Sequence, residues 1–377
     1  MSILELEFTD KAHGWSLAKT KFSDLNLLVG YSGAGKTRIL NAIRTVRRAA
    51  LRGAEFAAGC SWAIKVKAGA VTYNWRVSIS ASEFLDNTED LSSVSAAQPI
   101  YLLEELSIDS GEILVSRTAD IFLFRNLELP RLNQTESAIS LLRDESIIAP
   151  MYTALMRVTL SRVWDGVFVT AAEKFLESSN GRFPTIDRLR ESEVVNLILR
   201  SLILQNEFPE SFQSVCNDYM DIFPTVTDVQ IVNGKYKEYS HEMIMFGIKE
   251  RDVDRWILAS DMSSGMLRTL TQLFEMELAP PGTVILIDEV ENSLGVNCLS
   301  AVIDRVNLHA RDLQFILTSH HPYIINNIKP KDWRVVMRNG SEIFVKNGDE
   351  LPALQGGSAQ DQFIRLINSQ EFEDGLG

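Results

Sequence analysis

Cysteine is scarce: the 377 residues hold three, Cys60, Cys216 and Cys298, far apart and with no CxxC spacing. That excludes a disulfide framework and a zinc ribbon, and fits a reducing compartment. Basic charge is in deficit, with 37 Lys plus Arg against 50 Asp plus Glu and a net charge of −13. A surface that coats nucleic acid along its whole extent is thereby excluded, while a local basic patch is not. No run approaches the ~18 consecutive apolar residues of a membrane-spanning helix. The opening MSILELEFTD carries acid where a secretion signal carries base. A cytoplasmic protein with no membrane partner is the expectation. No heptad pattern persists long enough for a coiled coil, and no internal repeat is visible.

With hydrophobic residues at 45% and charged residues at 23%, the chain can pack a core. Its length suits about two domains, or one with a large insertion. Residues 2–8 and 25–29 read as strands, and a basic helix follows over 36–52. Period-two alternation through Trp62, Ile64 and Val66, then Val71, Tyr73, Trp75, Val77 and Ile79, predicts an antiparallel hairpin turning at Gly69. Residues 81–98 are polar and read as a loop, with further strands near 99–107, 112–117 and 120–125. From about 135 to 222 the pattern is helical, including the run Met151–Val169, and Pro184 and Pro209 interrupt it. Strand-like pieces at 226–232 and 242–248 precede a Ser/Gly turn, a helix, the strand 283–288, another helix, the strand 314–319 and a short mixed tail.

Four motifs carry chemistry. The octapeptide Gly30 to Thr37, GYSGAGKT, fits G-x-x-x-x-G-K-[ST] between a buried strand and a helix. Glycines such as Gly30, Gly33 and Gly35, with Ser32 between them, let backbone N–H groups turn toward an anion at a helix N-terminus. Lys36 then reaches the β- and γ-phosphates of ATP, and the Thr37 hydroxyl ligates Mg²⁺. In TVILIDEVEN, 283–292, a buried strand ends in carboxylates, a costly position unless they act. Asp288 is placed to hold Mg²⁺, and Glu289 to orient or deprotonate the attacking water; Glu291 reads as a solvated turn residue. Ser263-Ser264-Gly265 opens a helical pattern about twenty residues earlier and, alone, is an N-cap. TSHHPY, 318–323, follows the next strand, and its paired histidines can be solvated or cap a helix.

The set, in this order, resembles the ABC-class ATPases. Met262-Ser263-Ser264-Gly265-Met266 is similar to the LSGGQ signature at its serine and second glycine, and departs from it at Ser264 and Met266. Those departures resemble the SMC/RecF branch of the AAA ATPases. DEVENSLG and TSHHPY resemble the compact bacterial defence ATPases of the OLD-like and Septu-like kind. The resemblance implies an α/β P-loop NTPase fold, an ABC-class ATPase head with an inserted β lobe and a helical lid. On that reading 1–60 and 226–377 form the two halves of the core, 61–130 the lobe and 131–225 the lid. It makes His320 the switch histidine, Ser263 and Gly265 the nucleotide-contacting signature, and Asn292 to Asn297 the D-loop; Gln134 is the candidate Q-loop glutamine.

Because one chain carries one phosphate loop and one signature, the resemblance implies an ATP-bridged homodimer or higher oligomer. Relatives often work beside a separate nuclease or toxin effector in antiphage defence, and no catalytic cluster beyond the ATPase motifs is evident. The expected function is therefore an ATP-hydrolysing sensor or scaffold for such an effector. The alternative is a RecF/SMC-like DNA repair or recombination clamp; a transporter subunit is disfavoured by the large insertion. The helix 36–52 carries Arg38, Arg44, Arg47, Arg48 and Arg52 without an acid. It reads first as a solvated basic face and leaves nucleic-acid contact open.

Overall fold

The computed structural model describes residues 1–81, 98–130, 132–161, 168–169, 183–192, 194, 196–235, 242–351, 361 and 365. Most of the predicted 81–98 loop lies outside the described residues. The strands are, in chain order, β1 (Ser2–Asp10), β2 (Trp15–Lys21), β3 (Leu25–Val29), β4 (Cys60–Ala68), β5 (Val71–Ile79), β6 (Tyr101–Ile108), β7 (Ile113–Thr118), β8 (Phe122–Phe124) and β9 (Leu127–Glu128). There follow β10 (Val158–Leu160), β11 (Phe168–Val169), β12 (Val226–Lys235), β13 (Glu242–Glu250), β14 (Ile257–Leu258), β15 (Val284–Ile287), β16 (Gln314–Thr318), β17 (Trp333–Asn339) and β18 (Glu342–Asn347). The chain divides into two compact units, one of residues 1–160, 282–289 and 312–377, the other of 161–281 and 290–311.

The first unit is built on one sheet ordered β10-β15-β16-β3-β17-β18-β2-β1-β4-β5-β6-β7-β8-β9. Its β10, β15, β16, β3 and β17 run parallel. Parallel strands are covered on both faces and read as continuous apolar runs. LNLLV of β3, VILI of β15 and QFILT of β16 are buried at every position. The lobe strands are antiparallel and alternate instead, as in CSWAIKVKA of β4. They continue the same sheet, since β1 pairs with both β2 and β4. Against the sheet packs the helix Lys36–Arg52, which buries Ile39, Leu40, Ala42, Ile43, Val46, Ala49 and Ala50. Burying one such Leu or Ile side chain contributes about 1.5–3 kcal/mol.

Sequence periodicity errs at two places in this sheet, its β10 edge and its middle. The helical reading of 151–169 stops early: the helix Ala149–Met156 ends, and three residues form β10 alongside β15. The tail read as mixed is the hairpin β17–β18, in which Asn339 pairs with Glu342 and the turn is Gly340-Ser341, with Gly340 at φ +55°. Its Gly-Ser pair between two strand-like runs is a hairpin signal in its own right.

Two buried polar knots tie this unit together. The Gln314 side chain, 1% exposed, accepts from the Ile3 N–H and donates to the Ile3 and Ser23 carbonyls. It thereby joins β1 to a strand far across the sheet. In the lobe Glu104 is wholly buried and accepts from Trp75 Nε1 at 3.1 Å, Arg117 at 3.3 Å and the Ala138 N–H at about 2.9 Å. Arg117 also donates to the Glu136 and Asn133 carbonyls, both at 2.7 Å.

The second unit holds the sheet β11-β13-β12, with β14 on β13. Helices Leu197–Glu207, Pro209–Ile222, Ser264–Leu278 and Val296–His309 belong to the same unit. Phe274 joins Phe246 and Phe212 with ring centroids 5.0 and 5.2 Å away. The outer edge of β12 is partly covered, because the Ile231 N–H donates to Gln205 Oε1 at 2.7 Å. Among the described residues no helix is long and apolar enough to cross a membrane.

Burial pushes the Glu104 carboxyl up to about 7, its hydrogen-bond donors opposing the rise only in part. A raised acid favours the folded state at low pH, and that contribution fades as pH climbs from about 4.5 to about 7. Wild type should therefore lose stability relative to Glu104→Gln across that window. Urea unfolding of both proteins at stepped pH measures the difference, which should stay flat if Glu104 titrates normally.

Candidate functional site

The parallel strands end at one edge of the first unit's sheet, where Leu160 aligns with Leu286, Ile287 with Leu317, and Thr318 with Leu28. Ligands of open α/β sheets bind beyond such carboxyl ends. The phosphate loop leaves β3 there and enters the helix at Lys36. Gly35 sits at φ +108°, in the left-handed region, and a Cβ on it would run into the end of the Ile343 side chain. A Cβ on Gly30 would meet the Val336 carbonyl oxygen at 2.5 Å. The hairpin β17–β18 thus braces the loop from behind. Ser32 and Gly33 are exposed. The Lys36 side chain is largely buried, and its Nζ donates to the Gly30 and Tyr31 carbonyls, both at 2.9 Å. Its ammonium is thus held against the loop, and the first turn of this helix contains no acid.

Beside the loop, Thr37 Oγ1 donates to Asp288 Oδ1 at 3.1 Å. The apolar run of β15 delivers Asp288, and that of β16 delivers Thr318. Thr318 Oγ1 donates to the same Asp288 oxygen at 2.7 Å and accepts the Glu289 N–H at 2.7 Å. Glu289 turns outward at φ +46°, a conformation that costs about 1–3 kcal/mol in a non-glycine residue and concentrates at functional sites. Its side chain is exposed, as is His320. His321 acts differently, since its Nδ1 accepts the Tyr323 N–H at 3.2 Å and caps the helix Pro322–Asn327.

Gln134 does not belong to this site. Its Nε2 donates to the Ala119 carbonyl at 2.6 Å, and the adjacent Thr135 carbonyl accepts the Ala54 N–H at 2.7 Å. That is beyond the far end of the 17-residue helix Lys36–Arg52, about 25 Å long at 1.5 Å per residue. Polar character before a helical stretch suggests the glutamine, and the lobe's topology carries it away. The basic helix is also less solvated than its sequence suggests. Arg38 lies over the Trp15 ring at 5.5 Å and Arg48 over Phe56 at 4.3 Å. Burial lowers the Arg47 guanidinium, with the charges of Arg52, Arg44 and Arg48 adding to the effect.

In the second unit, Ser263 is exposed and N-caps the helix Ser264–Leu278, its Oγ accepting the Met266 N–H at 3.2 Å. Gly265 lies in the first turn against the segment 292–297, where Ser293 has φ +64°. A Cβ on Gly265 would fall 2.5 Å from the Ser293 carbonyl oxygen.

A family model described as "AAA domain, putative AbiEii toxin, Type IV TA system" matches residues 116–326, more than half of the chain. The chain belongs to this AAA-domain family. The matched range takes in the signature, Asp288, Glu289 and His320, while the phosphate loop precedes it. Structural maintenance of chromosomes protein 3 of Dictyostelium discoideum is 30% identical over 117 residues, 29% of this chain and 8% of that protein. This chain therefore spans a small fraction of that relative's length. The Smc head domain with an extended coiled coil, bound to the C-terminal domain of ScpA from Pyrococcus furiosus, aligns over 91% of this chain and 95% of its own. Its TM-score is 0.50 at 14% identity, which speaks for the fold. An SmcHead bound to the C-winged helix domain of ScpA covers 92% of this chain and 98% of its own at 14% identity, with a TM-score of 0.46. The chain shares the α/β fold of the Pyrococcus furiosus Smc head, the P-loop NTPase fold.

Gly265→Ala in this AAA-domain protein forces a methyl group into a backbone carbonyl, so the signature turn must shift. A cost of about 1–3 kcal/mol is expected, the range for overpacking. Ser264→Ala, at an exposed position, should stay within about 0.5 kcal/mol of wild type. Denaturant midpoints of the pair test the assignment, and equal midpoints would contradict it.

Proposed function

We propose that this protein binds ATP with Mg²⁺ at Lys36, Thr37 and Asp288, hydrolyses it, and uses the ATP state to control a separate effector protein. The observation that carries the reading is the convergence of Thr37 and Asp288 at 3.1 Å beside a lysine held over the phosphate loop. A hydroxyl and a carboxylate are hard oxygen donors, the kind Mg²⁺ takes one or two of while keeping water and phosphate oxygens for the rest. When bound there, Mg²⁺ neutralises charge on the β- and γ-phosphate oxygens.

The chain's own residues divide the remaining work. Gly30, Ser32, Gly33 and Gly35 offer backbone N–H groups to the phosphates, and Lys36 exchanges its carbonyl partners for their oxygens. Glu289, exposed beyond the strand end, orients or deprotonates the attacking water, and His320 contacts the γ-phosphate. Ser263 and Gly265 of a second copy close over the nucleotide, so ATP bridges a homodimer, and loss of the γ-phosphate releases it. The family description names a toxin, and the compared Pyrococcus furiosus Smc head is bound to a ScpA domain. Both support a head that works by holding another polypeptide, which we place in a cytoplasmic role of antiphage defence. The partly engaged arginines of the phosphate-loop helix give less support to a DNA repair clamp.

Lys36→Ala should weaken ATP binding strongly. Glu289→Gln should retain Mg-ATP and slow hydrolysis by about 10²-fold or more. Lys36→Ala and Ser263→Arg protomers, each inactive alone, should recover turnover when mixed. Heterodimers that form without recovering activity would refute assembly in trans. Co-expression with neighbouring genes should lower phage plating in an ATP-site-dependent way. Sensitivity to DNA damage on deletion, with no effect on phage, would favour the repair clamp.

A further inference from the structure

The sequence marks Thr318 only as the first residue of the histidine motif, yet its hydroxyl occupies the centre of the site. It is 1% exposed, at the last position of β16. One of its neighbours, the Asp288 carboxylate, accepts when ionised; the other, the Glu289 N–H, can only donate. A hydroxyl carries one proton and lone pairs, so its rotor has a single setting that satisfies both. The proton goes to Asp288 and a lone pair takes the Glu289 N–H. Both bonds measure 2.7 Å, against 3.1 Å for the bond from Thr37 to the same Asp288 oxygen.

We propose that Thr318 is a positioning residue that fixes the Asp288 carboxylate for the metal and the left-handed turn at Glu289 for the water. This rests on the ATPase reading of the same site. The physical reason is that two acidic side chains at adjacent positions serve different partners. The chain bends as it leaves β15 between them, and Glu289 adopts φ +46°. Holding the N–H of that residue and the carboxylate before it with one oxygen locks both orientations together. Valine has nearly the shape of threonine and cannot make either bond. Serine makes both and lacks only the methyl group.

The test measures binding as well as turnover. A non-hydrolysable ATP analogue is titrated by calorimetry at stepped Mg²⁺ into wild type, Thr318→Val, Thr318→Ser and Thr318→Ala. Thr318→Val and Thr318→Ala should need about 10–100-fold more Mg²⁺ to reach tight binding, as when a group orienting a metal ligand is lost. Affinity without Mg²⁺ should be unchanged, kcat should fall over a similar range, and Thr318→Ser should restore both. If Val does not fold, the Ser and Ala pair makes the same comparison. A series in which only the melting temperature falls, or in which Ser behaves as Ala does, overturns the inference. A wild type whose nucleotide binding ignores Mg²⁺ overturns the ATPase reading and this inference with it.

Discussion

One carboxylate oxygen organises the phosphate-loop unit. Asp288 Oδ1 receives hydroxyls from Thr37 at the start of the phosphate-loop helix and from Thr318 at the end of β16. Three elements from distant parts of the sequence therefore end at one atom. A carboxylate at the rim of a buried strand loses solvation, and hydrogen bonds to its charged form offset that loss. The parallel core makes the meeting unavoidable. With β15, β16 and β3 in register and wholly buried, their next residues must emerge side by side. Apolar burial supplies the driving force, and the polar residues at the strand ends supply the address.

The loop that faces this carboxylate depends on a second constraint, applied from behind. Gly30 lies too close to the Val336 carbonyl for a side chain, and Gly35, in the left-handed region, packs against Ile343. β17 pairs with β3 and β18 with β2, so the brace is registered to the sheet and does not rely on the loop's own stiffness. Preorganised backbone donors are worth most when they need not rearrange as charge arrives. A rigid hairpin behind a glycine loop meets that requirement while leaving Ser32 and Gly33 exposed.

How much of this can be read in the sequence follows from the range over which each feature is specified. GYSGAGKT and TVILIDE are local: turn chemistry, a buried run and a terminal carboxylate lie within ten residues of one another, so both are legible. The core strands β3, β15 and β16 are legible for the same reason. β10 is hidden because three residues cannot establish a period beside a helix of similar apolarity. β17–β18 carries a turn signal in Gly340-Ser341, but Arg334 and Lys346 interrupt its apolar runs and blur them into a mixed tail. Thr318 and the false glutamine are of another kind. What a threonine at a strand end donates to, or which end of a helix Gln134 reaches, depends on the pairing of strands some thirty residues apart or on the route of the lobe strands. No window along the chain contains that information.

The departures of the signature from its family pattern follow from the same logic of space. Of the two glycine positions in LSGGQ, this chain keeps the second, Gly265, and replaces the first with Ser264. Ser264 is exposed in the first helical turn, where a hydroxymethyl group meets solvent. Gly265 faces the Ser293 carbonyl so closely that a methyl group would overlap it. The requirement this chain retains is therefore the approach of the signature turn to the segment after the acidic strand, and the first glycine is dispensable to it. That approach places two segments that the ABC-class resemblance assigns to a partner's nucleotide and to the partner itself in direct contact within one unit. Close-packed contacts of this kind pass on displacement and do not absorb it, the property that the proposed ATP-gated dimer would need from its own protomer.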